Sequence, residues 1–128
     1  MSWDIVLFNS KETIDSIEEL DEHKLEPIDF TGILEKSFND IIIDDNHREI
    51  NGKDFSIEFF ADDELVSNKM LSLYGENGLF ELIELAKRHG WQIFDTGLGS
   101  MIDLENPENN GFENHRNYVA HVINIMKE

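Results

Sequence analysis

The sequence predicts a single α+β domain over residues 1–128: a mainly antiparallel sheet of five to six strands with three helices, ordered β-α-β-β-β-α-β-β-α. Three observations predict it. Phe55, Ile57 and Phe59 alternate with Ser56 and Glu58, the period-2 pattern of a strand with one buried face. Leu79, Leu82, Ile83 and Ala86 recur at helical spacing, opposite Glu81, Glu84 and Arg88. Turn formers separate neighbouring strand patterns at short range, which joins them antiparallel.

Taken in order, Trp3–Phe8 reads as a first strand that ends at Asn9 and Ser10. Lys11–Pro27 is a polar connection, with Ser16 and Glu19 placed to cap one helical turn. A connection this long inside a compact domain is commonly functional or mobile. Asp29 is the N-cap of a first helix whose stripe is Phe30, Ile33, Leu34, Phe38 and Ile41. Asp44-Asp45-Asn46 marks a turn and His47–Ile50 a short strand. Asn51-Gly52 is the two-residue hairpin signal that leads into the Phe55 strand. Asp62-Asp63-Glu64 forms another loop before the strand Lys69–Tyr74.

A second helix covers about Gly78–His89, with basic Lys87 and Arg88 in its last turn and Gly90 as a left-handed C-cap. Trp91–Asp95 and Ser100–Leu104 are strands around Thr96-Gly97-Leu98-Gly99. A last helix over Glu113–Lys127 would bury Val119, Val122, Ile123 and Met126. Phe60, Met70 and Tyr74 fall on the face opposite Phe59, Leu71 and Leu73. Phe94 and Met101 likewise oppose Trp91, Ile93 and Ile102. A sheet apolar on both faces is either covered twice or leaves a patch for a partner; three helices could cover much of both faces, so burial in the interior is the favoured expectation.

Charge is the dominant global property. Twenty-eight acids against ten bases give −18, of which residues 1–64 hold −14. Between Glu12 and Asp29 stand eight acids and one lysine. Such a field repels nucleic-acid phosphate and anionic lipid and attracts basic proteins. No cysteine is present, which excludes disulfides, thiolate zinc sites and cysteine nucleophiles. The start of the chain has no basic segment leading into an apolar run, and no apolar stretch approaches the roughly 20 residues of a membrane span. A cytoplasmic location is the expectation.

Catalytic constellations are weak. Gly97-Leu98-Gly99-Ser100 lacks the following helix that a phosphate cradle needs, and reads as a hairpin turn. With Asp95 opposite Ser100, Asp95 and Asp103 point to opposite faces and cannot share a substrate. Asp44, Asp45, Asn46 and His47 lack the alternate spacing of a calcium loop. His115 and His121 stand six apart, about 120° around a helix, so they do not chelate; His115 itself reads as a partly buried, hydrogen-bonded residue. No metal or cofactor is expected.

The Ser2-Trp3-Asp4 opening, Asp54-Phe55-Ser56-Ile57-Glu58-Phe59, and Gly90-Trp91-Gln92-Ile93-Phe94-Asp95 through Ile102-Asp103-Leu104 together resemble a group of small bacterial cytosolic proteins. In size and acidity the chain is also similar to bacterial toxin-immunity proteins as a class. These likenesses imply a cytosolic origin and carry no active-site residues. The expectation is a non-catalytic, acidic protein-binding module, in the immunity case an antagonist of a basic toxin. Its contacts would be Glu18, Glu19, Asp21 and Glu22, with Asp62, Asp63 and Glu64 as a second group. The alternative is a small enzyme or ligand carrier with a pocket built from Glu58, Tyr74, Asp103 and His115. The sequence leaves the oligomeric state open.

Overall fold

The computed structural model describes residues 3–110. The expected last helix, with His115 and His121, lies outside the described residues. Seven strands form one sheet: β1 Trp3–Asn9, β2 Ile41–Asp44, β3 His47–Gly52, β4 Phe55–Phe60, β5 Asn68–Tyr74, β6 Trp91–Asp95 and β7 Ser100–Met101. Their spatial order is β2-β3-β4-β5-β1-β6-β7, with every pairing antiparallel. Two α-helices, α1 Phe30–Ser37 and α2 Glu76–His89, complete the described elements. The α+β class and the antiparallel sheet are as expected. The counts differ: seven strands where five to six were expected, and two described α-helices where three were.

The added strand is β2. Ile41 fits the helical stripe of α1 by spacing, yet the helix stops at Ser37 and Phe38 is already extended, at φ −129° and ψ 146°. Ile41-Ile42-Ile43 is a β-branched run, whose restricted side chains suit a pleated strand better than a helix. The Asp44–Asn46 turn is therefore a hairpin, with Asp44 opposite His47 and Asp45 at a left-handed φ of 57°.

The second hairpin turns two residues later than Asn51-Gly52 would have it. Gly52 pairs with Phe55, and Lys53-Asp54 makes the turn with Asp54 at φ 65°. A turn at Asn51-Gly52 would set Ile50 beside Lys53. The observed register sets it beside Ile57, and both isoleucines are fully buried. Burial of one face fixes register more strongly than a local turn preference does.

One face of the sheet carries the core. Ile5, Leu7, Ile50, Ile57, Phe59, Leu71, Leu73, Trp91 and Ile93 meet Phe30 and Leu34 of α1 and Leu79, Phe80, Leu82, Ile83 and Ala86 of α2 in one buried cluster. Asp29 caps α1 by accepting the Gly32 N–H at 3.0 Å, and Gly90 closes α2 in the left-handed region at φ 74°. Gly75, at φ 99°, admits α2 to the sheet: a side chain there would stand 2.5 Å from the Asp54 carbonyl.

The long connection after β1 is ordered by its own turns and two bridges. Ser16 and Asp21 each cap a 3-10 turn, Ile17–Glu19 and Glu22–Lys24. Ser10 bridges to Leu25, and Ile28 to Val66.

Candidate binding surface

The chain leaves β1 and returns to α1 at one end of the sheet. Phe8 lies opposite Asn68, so the end of β1 and the start of β5 are neighbours there, and Asn9 N–H donates to Ser67 O at 2.9 Å. The Ile28–Val66 bridge ties the acidic connection to the 61–67 loop that carries Asp62, Asp63 and Glu64. Both sequence-predicted acidic groups thus stand at the same end of the molecule.

They are not equivalent. Glu18, Asp21 and Glu22 are exposed, as are Asp63 and Glu64. None of the ion pairs among the described residues involves them. Asp21 spends one oxygen on the His23 N–H at 3.0 Å. Asp62 is committed elsewhere: its Oδ2 accepts from Lys69 Nζ at 2.8 Å, and the Lys69 side chain is only 8% exposed. Asp62 is therefore a structural partner of a buried ammonium. Nearby Glu12 and Glu26 are matched by Lys24 and Lys11, and Glu26 holds the Lys11 ammonium above its ordinary 10.5 through a hydrogen bond and its charge.

The connection is held over the sheet through β6. Gln92 accepts the Ile14 N–H at 2.6 Å and donates to Glu12 O at 2.9 Å. Ile14 and Phe8, the neighbour of Gln92 across β1–β6, are both buried.

Beyond this anchor the face opposite the helices is partly open among the described residues: Val6, Phe94 and Met101 are half-buried, but Phe60, Met70 and Tyr74 are exposed, contrary to their expected interior placement. Phe60 is 60% exposed, Met70 59% and Tyr74 37%. Phe60 and Met70 lie on the same face, each two residues beyond the last β4–β5 pair, Glu58–Ser72; Met70 pairs with Val6, Val6 with Phe94, and Phe94 with Met101. An apolar row therefore crosses five strands. Two residues along each strand runs a polar row in which Glu49 lies directly opposite Glu58, Glu58 opposite Ser72, and Ser72 opposite Asp4. Like charges placed directly across two strands cost stability. Asn51 reaches Glu49 at 3.5 Å, while Tyr74 donates to Glu58 at 3.4 Å with His47 at 4.0 Å. None of the strand residues on this face is Lys or Arg.

Of the four residues of the alternative pocket, two are in contact. Glu58 and Tyr74 touch on the open face, whereas Asp103 follows β7 at the far edge of the sheet. His115 lies outside the described residues. The expected strand Ser100–Leu104 stops at Met101: Ile102 N–H still donates to Ile93 O at 2.8 Å, but the Asn110 side chain takes the amide of Asp103 at 2.8 Å. The Asp103 carboxylate accepts Glu105 N–H and Asn106 N–H, each at 3.1 Å, and the Asn109 side chain at 3.0 Å. Asp95, 4% exposed, caps the preceding turn through Gly97 N–H at 2.8 Å. An open groove of about 590 Å³ beside Trp91 and Gln92 is bordered by Asp103 and by Lys87, which pairs with Glu105 at 3.9 Å. No three His, Cys, Asp or Glu side chains gather into a metal-binding set among the described residues.

The bonds to Asn109 and the Asn106 amide hold the Asp103 carboxyl below its ordinary 3.8. A depressed folded value contributes stability that is complete above 3.8 and is lost as pH falls through the lower folded value. Asp103→Asn is expected to flatten that acid limb, and urea midpoints measured from pH 5 down to 2 check it.

Compared with protein-family models, curated proteins and solved structures, the chain matches none. No helix of the described residues is long and apolar enough to cross a membrane. The functional reading therefore rests on the surface itself. Sequence patterning had set Phe60, Met70 and Tyr74 on one face, but the facing of Glu49 and Glu58 depends on a register shifted by the second hairpin.

Proposed function

We propose that this chain is a non-catalytic, acidic module that binds a basic protein. The observation that carries the reading is the placing of Glu18, Asp21, Glu22, Asp63 and Glu64, exposed and outside the ion pairs among the described residues, at one end of the sheet. Carboxylates concentrated in this way raise the encounter rate with a cationic surface, and the gain falls with salt. The immunity-type form of the proposal identifies the basic partner as a toxin that the chain neutralises in the cytoplasm. Support comes from size, acidity and the commitment of buried or capped carboxylates such as Asp95 and Asp103 to the fold.

The test is affinity for the basic protein captured by the wild-type chain from its native cell at low salt. Reversing Glu18, Glu19, Asp21 and Glu22 to Lys together should weaken it by roughly tenfold or more, chiefly through a slower association rate. Raising salt from about 50 to 300 mM should produce a comparable loss in the wild-type chain alone. Unchanged affinity after the fourfold reversal would remove the assignment.

A further inference from the structure

From the open face of the sheet we infer a second element of recognition: it docks a basic amphipathic helix, with the partner's apolar stripe on the Phe60–Met70–Val6–Phe94 row and its Lys or Arg flank over Glu49 and Glu58. The inference rests on the reading that the partner is basic, and adds where it sits and what shape it presents.

Geometry selects this occupant. Neighbouring strands stand about 4.8 Å apart, so the apolar row from β4 to β7 is about 19 Å long. A helix of about 13 residues spans that length at 1.5 Å per residue. The carboxylate row is offset by two residues along the strands, about 6.7 Å. The flank of a helix about 10 Å across, laid on the apolar row, then falls above it. Glu49 and Glu58 face each other directly without a Lys or Arg from any strand of this face. A cation inserted above both relieves their repulsion and acquires two acceptors. Phe60 and Met70 expose most of their surface beside them, so apolar area and charge are presented together.

Other occupants fit less well. A second copy related by a two-fold axis would set this carboxylate face against itself. An anionic lipid surface is repelled by the same row.

The probe is a 14-residue Leu/Lys amphipathic peptide, titrated into the full-length protein at about 50 mM salt. Its controls are a peptide with every Leu replaced by Ser and a Leu/Glu peptide. The expected result is binding of the Leu/Lys peptide alone, with amide shifts concentrated in β4, β5, β1 and β6. Affinity should fall tenfold or more in Phe60→Ser/Met70→Ser and again in Glu49→Lys/Glu58→Lys. Both variants change surface positions, and their circular dichroism should match the wild type.

If Glu18→Lys/Glu22→Lys abolishes peptide binding while the two open-face variants bind normally, the docking face is wrong and the acidic module stands. If a basic protein binds as proposed above but the Leu/Lys peptide does not, the helix inference alone is overturned. Slow peroxide oxidation of Met70 in the free full-length protein would show the face already covered and would overturn it. Self-association that Phe60→Ser/Met70→Ser removes would do so in favour of a second copy.

Discussion

Replacing Trp91 with Ala is expected to lower unfolding stability by about 3–5 kcal/mol, the range for deleting a large buried aromatic. Trp91 opens β6 and is 2% exposed. Its ring lies 4.8 Å from that of Phe30 at a 52° tilt, and is stacked 4.8 Å from the His89 ring at the end of α2. One side chain therefore joins the start of α1, the end of α2 and the sheet. The void left by Ala cannot close by a local shift, because its walls belong to three elements. Native stabilities are about 5–15 kcal/mol, so the loss takes a large part of the whole. Urea unfolding followed by far-ultraviolet circular dichroism checks it, with Trp91→Phe expected to retain much of the difference. A loss under about 1 kcal/mol would contradict the packing described.

Asp62→Ala is expected to cost about 2–3 kcal/mol, while a Lys69→Met/Asp62→Asn pair should recover most of it. Lys69 lies on the core face of β5, where its ammonium donates to the Phe60 carbonyl and to Asp62 and stands 5.8 Å from the centre of the Phe59 ring. Removing one partner of a buried ion pair costs about 3–5 kcal/mol, because the remaining charge has no water to turn to. The 35% exposure of the Asp62 side chain lets solvent reach it, which brings the value below that range. A flexible apolar Met in place of Lys needs no counter-charge. The outcome also separates structure from recognition. If Asp62→Ala weakened binding of a basic partner yet left the unfolding midpoint unchanged, Asp62 would belong to the recognition surface after all.

Much of the fold was legible in the chain. Both α-helices, the first strand, and the strands at Phe55, Lys69 and Trp91 follow from periodicity, because each has one face in the core and that face dictates the pattern. The failures occurred where two local rules competed. Ile41 satisfied a helical spacing and a β-branched run at once, and the extended Phe38 decided for the strand. Asn51-Gly52 is a strong turn signal, but the Ile50–Ile57 pairing outweighed it. The shortened β7 reflects one side chain, Asn110, capturing the Asp103 amide that a longer strand would have kept in the sheet.

The surface was less legible for a related reason. An acidic residue has the same letter whether it is solvated like Glu22 or consumed like Asp62, and only the neighbour brought by the fold tells them apart. The nearness of residues 12–29 to residues 61–67 depends on the Ile28–Val66 bridge, a contact between positions 38 apart with no local signature.

The sheet order carries a consequence for how the molecule is made. The strand β1 sits between β5 and β6, and its partners lie roughly 60 to 90 residues downstream. The β2–β5 meander can zip up from local hairpins as it leaves the ribosome. Strand β1 must wait for residue 95, because its slot does not exist before then. Closing so large a loop is entropically slow, so insertion of β1 is the natural rate-limiting event of assembly. Until it occurs, the hydrogen-bonding edges of β5 and β6 remain open to mispairing with other chains.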